Sequence, residues 1–227
     1  MTAVQSESAR IGGSILVIDV GGNNVKFIVS GDQKRRKIPS GPDFTPEQLL
    51  AGITEQTGDR QYDRVSIGVP GVVKEDRIVI APVNLGKGWT KFDFAAAFEC
   101  PVKLVNDAVM QALGSYDGGA MLFLGLGTGL GAALVRDGLA APLEVAHLPY
   151  RDEMTFEDFV GRRGLKRLGE KAWEAAVHDV VERLRLAMVA DYVVLGGGNA
   201  SRLKKLPDHA SLGNNDNALI GGFRLWA

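Results

Sequence analysis

The sequence predicts an α/β protein assembled from two similar halves. Short apolar, β-branched runs alternate with helical stretches, and each half opens in the same order: a strand, a glycine-rich turn and a second strand. The 29 glycines also gather behind strands instead of spreading evenly. No low-complexity linker separates the halves, so they are expected to pack closely across a cleft.

Residues 1–13 are polar, small and aperiodic and read as a mobile leader. SILVID (14–19) is a buried strand that stops at an Asp and two glycines. VKFIVS (25–30) resumes β character, Gly31-Asp32 makes a hairpin turn, and residues 34–38 form a third strand with Lys and Arg on its solvated face. Thr45 is the N-cap of a helix with Pro46 at its first position and Leu49, Leu50 and Ile53 on its apolar face. RVSIGV (64–69) and VKLV (102–105) are further strands, the second running into a helix over 108–113. AMLFL (120–124), a glycine turn at 125–131 and AALVR (132–136) then repeat the opening, with Asp137-Gly138 as another hairpin turn. Trp173, Val177, Val180, Val181, Leu184 and Met188 are spaced as one face of a helix over 170–188. A last strand at 192–195 ends in Gly196-Gly197-Gly198. The expected division is a leader (1–13), an N-terminal α/β domain (14–113) and a shortened C-terminal α/β domain (114–227).

Composition excludes several classes of function. With 26 Lys+Arg against 27 Asp+Glu the net charge is −1, so no basic excess exists to neutralise nucleic-acid phosphates. Apolar residues make up 45% of the 227, enough for a sizeable core and too many for a disordered chain. A single cysteine, Cys100, excludes an intramolecular disulfide and any multi-Cys zinc site. The N-terminus lacks the basic-then-apolar order of a signal peptide and no apolar run reaches membrane-spanning length, so a cytoplasmic address and no membrane partner are expected.

A glycine turn after a strand lets backbone N–H groups approach a phosphate unobstructed, although glycine also sits at hairpins simply for its backbone freedom. Gly127, Gly129 and Ala132 fit a dinucleotide-binding spacing, but that motif requires a following helix and AALVRDG reads as strand and turn. Gly86-Lys87-Gly88 has neither the spacing nor the Ser/Thr of a Walker A loop.

DVGGNNVKF (19–27), IGVPG (67–71), VNDA (105–108), GLGTGLGAAL (125–134), EVAH (144–147) and LGGGN (195–199) together resemble the ordered motifs of the ROK sugar kinases, from about Ile15 to Gly198. FEDFVGRRGLKRLG (156–169) is most similar to the polyphosphate glucokinases and glucomannokinases of that family. The resemblance implies the actin/hexokinase/Hsp70-like (ribonuclease H-like) fold, with duplicated domains about a central cleft. It implies a Mg²⁺-dependent glucokinase-like transfer of a phosphoryl group from ATP or polyphosphate to the 6-hydroxyl of a hexose. Asp19 would hold Mg²⁺ through water, its other reading being a cap on the turn. Asp107 would be the general base, its other reading an N-cap of the following helix. Asn84, Asn106, Asp107, Glu144, His147 and Glu157 would bind the sugar. Gly21, Gly22, Asn23, Lys26, Gly127, Thr128 and Gly129 would meet the donor's phosphates, and Gly197 and Gly198 would flank adenosine if the donor is ATP. Trp89 borders the sugar in this resemblance and reads equally well as core.

The match departs at several positions. Asn23 replaces the usual hydroxyl residue, Ala146 replaces the glycine of the sugar motif, and no cysteine follows His147, so no zinc is expected. Residues 169–192 have room for one helix where relatives commonly have several, which makes a linear polyphosphate donor easier to accommodate and leaves a homodimer open. The residues before Ser14 are too few for a helix-turn-helix, so a repressor is not expected. The rival expectations are a catalytically inactive sugar-binding protein and a kinase for mannose or an N-acetylated amino sugar.

Overall fold

The computed structural model describes residues 2–59, 61–214 and 216–227. The chain divides into two compact units, one running as far as Met110 and including Ala218–Ala227, the other Gln111–Asn217. The first unit contains α1 (Ala3–Ile11), β1 (Ile15–Val20), β2 (Asn24–Val29), β3 (Arg36–Pro39), α2 (Pro46–Thr57), β4 (Arg64–Val69), the hairpin β5 (Val72–Lys74) and β6 (Arg77–Ile80), α3 (Phe94–Phe98) and β7 (Val102–Asn106). Helix α4 (Asp107–Ser115) carries the chain onward. The second unit contains β8 (Ala120–Leu126), β9 (Leu130–Arg136), β10 (Leu139–Leu143), the short pair β11 (Pro149–Arg151) and β12 (Met154–Thr155), α5 (Phe156–Val160), α6 (Arg162–Ala187), β13 (Tyr192–Gly196) and β14 (Ala210–Leu212). The last helix, α7 (Asn217–Arg224), returns to the first unit.

Each unit is built on a five-stranded sheet, ordered β3-β2-β1-β4-β7 in one and β10-β9-β8-β13-β14 in the other. In both, the first three strands form an antiparallel meander and the last two run parallel to the first strand. The order of pairing is therefore repeated strand for strand.

Strand β1 is apolar at every position but Asp19 because both faces are covered. Leu16, Ile18 and Val20 join a core with Leu49, Ile53 and Trp89, while Ile15 and Val17 pack on the other face with Leu219, Ile220 and Phe223 of α7. In the second unit Leu122, Leu124 and Leu126 of β8 pack with Trp173, Val177, Val180 and Leu184 of α6.

The N-terminal segment read as a leader forms a helix instead. Thr2 and Gln5 make a reciprocal capping box at its start, and Val4 and Ser8 are buried. Its few apolar residues hide the helical period from sequence. The helix expected over 170–188 is present as far as Ala187, and a shorter helical segment from Arg162 precedes it, the two meeting at Gly169, whose φ of 73° no helix accepts. The C-terminal residues, expected in the second domain, pack with the first unit: Ser66 Oγ, fully buried, donates to the Gly222 carbonyl and accepts from Trp226 Nε1. No helix among the described residues is long and apolar enough to cross a membrane.

Candidate active site

In the first unit the β1–β2 turn is closed by Gly21 N–H donating to the Asn24 carbonyl at 3.1 Å. Ser40, 19 residues beyond Gly21, holds it from behind: its hydroxyl donates to the Gly21 carbonyl at 2.6 Å and its N–H to the Asn23 carbonyl at 3.1 Å. The Gly21, Asn23 and Asn24 carbonyls are thus occupied, while the Gly22 and Asn23 N–H groups donate to no acceptor among the described residues. Asn84 lies against this turn, its Cβ 3.5 Å from where a side chain on Gly22 would begin.

Asp19 sits in β1 opposite Lys26 of β2, with Lys26 Nζ 3.8 Å from its carboxylate. Burial pushes the Asp19 carboxyl above its ordinary range, and the charge and hydrogen bond of Lys26 oppose that shift only partly. Lys26, expected to meet donor phosphate, is therefore also the counter-charge of Asp19.

Strand β7 ends at Asn106 and helix α4 begins at Asp107, so the acid lies in a first helical turn, where the backbone favours a carboxylate. Asn106 Nδ2 donates to the Gly71 carbonyl at 3.0 Å, and its Oδ1 accepts from Ala108 N–H at 2.9 Å. The same N–H reaches Asp107 Oδ1 at 2.9 Å. Asn106 thus pins the end of β4 to the start of α4, a role that its neighbours in sequence do not disclose. Trp89 is 1% exposed and donates from Nε1 to the Phe44 carbonyl, which makes it core.

In the second unit Gly125 and Gly131 belong to paired strands, so the glycine cluster read as one turn reduces to Gly127–Gly129. Its carbonyls are also occupied: Gly127 accepts from Asn199 Nδ2 at 2.8 Å and from Arg162 N–H at 3.1 Å, and Thr128 from Arg162 N–H at 3.2 Å. Thr128 and Gly129 N–H find no acceptor among the described residues. The turn after β13 lies close by, where Gly197 has a φ of 79° and a Cβ there would sit 2.5 Å from the Leu126 carbonyl oxygen. Only glycine satisfies both constraints. Gly198, next to it, is exposed and has open space around it.

Glu144 and His147 are exposed on a turn whose middle residues, Val145 and Ala146, are buried in the core. Ala146 stands where the related motif has glycine, and its φ is not positive, so the methyl is accommodated without strain. The turn is tied to α5 by two bonds, Glu157 N–H to the Ala146 carbonyl at 3.0 Å and Phe156 N–H to the Leu148 carbonyl at 3.1 Å. The Glu157 side chain turns toward the Gly127–Gly129 turn, Oε2 accepting from Leu130 N–H at 3.1 Å and Oε1 lying 3.4 Å from Arg163 Nη2.

The candidate residues thus fall into two groups. Asp19, Gly21–Asn23, Lys26 and Asn84 lie about the β1–β2 turn of the first unit, with Asn106 and Asp107 two strands away at the end of β7; Thr128, Glu144, His147, Glu157 and Gly197 belong to the second unit. Sequence reasoning missed Ser40 and the backbone of Arg162, because nothing local marks a residue whose partners lie 17 to 35 positions away.

Residues 15–141 match the model of the ROK family. Among solved structures, the inorganic polyphosphate/ATP-glucomannokinase from Arthrobacter sp. strain KM is similar with a TM-score of 0.79 at 21% identity, over 95% of this chain and 98% of that one. A ROK family glucokinase from Streptomyces griseus in complex with glucose and AMPPNP gives 0.66 at 15% identity, over 94% of this chain and 99% of that one. A ROK family transcriptional regulator, a homolog of the E. coli MLC protein, gives 0.68 at 14% identity, over 94% of this chain and 77% of that one. No curated protein matches the chain. At these identities the likeness is one of fold, and the fold is the actin- and hexokinase-like one.

Proposed function

The chain belongs to the ROK family, and on that premise we propose that it is a hexose kinase, transferring a phosphoryl group from ATP or polyphosphate to the 6-hydroxyl of glucose or a related hexose. The observation that carries this reading is the pair of glycine turns, Gly21–Asn24 and Gly127–Gly129. In each, most of the carbonyls are bonded away and adjacent N–H groups are left without an acceptor among the described residues. Such backbone concavities favour anions, and a protein that only bound a neutral sugar would have no use for them.

In this reading Asp107 takes the proton of the 6-hydroxyl as that oxygen forms its bond to phosphorus and the donor's bridging P–O bond breaks. Asn84, Asn106, Glu144 and His147 hydrogen-bond the ring hydroxyls. Asn106 keeps one amide hydrogen and one lone pair beyond its bonds to Gly71 and Ala108. The turn amides receive the phosphates, and Gly197 and Gly198 flank adenosine when ATP is the donor. Glu157, whose Oε2 accepts from Leu130 N–H and whose Oε1 lies 3.4 Å from Arg163 Nη2, keeps a second lone pair on each oxygen for a ring hydroxyl.

Asp19 suits Mg²⁺. Its carboxylate is disfavoured by burial and incompletely compensated by Lys26, a condition that a divalent cation relieves. No group of three or more His, Cys, Asp or Glu suited to a metal exists among the described residues, so most positions around Mg²⁺ would fall to donor phosphates and water, its usual preference. Bound there, the ion would supply charge neutralisation on the donor.

The test is coupled detection of hexose 6-phosphate with glucose, Mg²⁺ and either ATP or polyphosphate. Product with either donor is expected and names the donor. Glucose binding seen as a thermal shift, with no product from either donor or from mannose or N-acetylmannosamine, would instead identify a sugar-binding protein without kinase activity.

A further inference from the structure

We propose that segment 40–44, between β3 and α2, is a brace that ties the β1–β2 turn to the loop over residues 84–89, with Ser40 as its positioning residue. The naming of that turn as phosphate side and of that loop as sugar side rests on the kinase reading; the mechanical tie does not.

The brace is attached at both ends. At one end the Ser40 hydroxyl donates to the Gly21 carbonyl at 2.6 Å and its N–H to the Asn23 carbonyl at 3.1 Å. At the other end the Phe44 carbonyl accepts two bonds from the loop, from Gly86 N–H at 2.9 Å and from Trp89 Nε1 at 3.1 Å. Between them Phe44 N–H donates to the Gly41 carbonyl at 3.0 Å, which folds the segment into a tight turn. Thr45, the next residue, caps α2 through reciprocal bonds with Gln48, and Leu49 and Ile53 of that helix lie in the core. The brace is therefore fixed to a rigid element. Asn84, lying against Gly22, closes the third side between loop and turn.

Gly86 gives independent support. It lacks a positive φ, so its backbone does not require glycine. A Cβ there would instead lie 2.7 Å from the Asp43 carbonyl oxygen and 2.9 Å from that of Phe44. Backbone atoms in a packed interior cannot step aside as the tip of a long side chain can. Glycine at 86 is thus explained by the seating of the loop directly on the brace. At the other end, both bonds from Ser40 go to carbonyls of the turn, which leaves the Gly22 and Asn23 N–H groups available to an anion.

The consequence is that a disturbance of the loop reaches the turn, and the reverse. The experiment uses the full chain and two readouts: amide hydrogen exchange at Gly21, Ser40 and Gly86, and the separate KM values for donor and sugar. Ser40→Ala is expected to speed exchange at Gly21 and Gly86 by about tenfold, while the amides of the central strand β1 keep their protection. Donor KM should rise by about tenfold and sugar KM by about threefold. Ser40→Thr retains the hydroxyl and is expected to hold every readout within about threefold of the parent. Gly86→Ala touches no residue of the turn and should still speed exchange at Gly21 and Ser40, with the double variant less than additive.

Unchanged exchange at Gly86 in Ser40→Ala, or at Gly21 and Ser40 in Gly86→Ala, overturns the brace. So does faster exchange throughout β1, which would reduce Ser40 to a general contribution to stability, and so does full additivity of the two variants. Should Gly86→Ala fail to fold, the Ser40→Ala and Ser40→Thr pair decides. If the parent protein phosphorylates no hexose, the kinase reading fails, and the exchange data alone decide the brace.

Discussion

Asp107 and Glu144 separate the two demands of a sugar kinase, moving a proton and holding a ring. Asparagine at 107 keeps an oxygen for the Ala108 N–H bond, so the start of α4 survives the change. Asp107→Asn is therefore expected to lower kcat by roughly 10²- to 10⁴-fold while glucose affinity, read from a binding titration, changes little. A variant with near-normal kcat would remove Asp107 from the role of base. Glu144 is exposed at the edge of its turn, where a weaker acceptor disturbs no packing. Glu144→Gln should raise sugar KM by about tenfold and leave the melting temperature unchanged; an unaltered KM would exclude it from the sugar site.

At the scale of elements, the N- and C-terminal helices and the β11–α6 contact carry consequences that no single motif reveals. Helix α7 approaches β1 so closely that a Cβ on Gly222 would clash with Val17. Gly222→Ala gains helix propensity of up to about 1 kcal/mol and still should destabilise the fold by about 1–3 kcal/mol net, because overpacking outweighs it. Urea unfolding checks the sign. Tyr150, near the Glu144–His147 turn, donates its hydroxyl to Asp179 of α6 at 2.6 Å, and Arg151 and Arg183 share the same carboxylate. Burial, then the hydrogen bond and charge of Asp179, push the Tyr150 phenol up to about 12. An unfolded tyrosine ionises near 10, so the folded state binds the proton more tightly. The stabilisation from this hydroxyl is complete below about pH 10 and is lost as pH rises toward about 12. Tyr150→Phe should be less stable than the parent at pH 8, and the difference should close across that alkaline window in denaturant titrations.

For the molecule as a whole, the two sheets repeat one strand order, and each unit has its own core. Ligands that bind only the folded chain stabilise it by mass action, about 2.7 kcal/mol at a hundredfold excess over Kd. Glucose at that excess should therefore raise the melting temperature of the parent and of Asp107→Asn alike. A shift in the parent that is absent from Asp107→Asn would show that the acid is needed to bind the sugar and not only to react with it.

The duplicated strand–turn–strand order, the Thr45 cap with Pro46 behind it, and the glycine turns after β1, β8 and β13 were all legible in the sequence. Strand periodicity and turn chemistry act over a few residues, so they leave a local signature. The acids Asp19 and Asp107 were legible for the same reason, since each sits where a strand meets a turn or a helix. Tertiary structure decided what long-range contacts decide. It folded the polar N-terminal segment into α1 against the first unit and brought α7 back to the strand that opens the chain. It buried Trp89, set Ser40 behind the first glycine turn and turned the Glu157 carboxylate toward the second. Those outcomes depend on which backbone groups lack partners once the sheets have formed, and that accounting exists only in three dimensions.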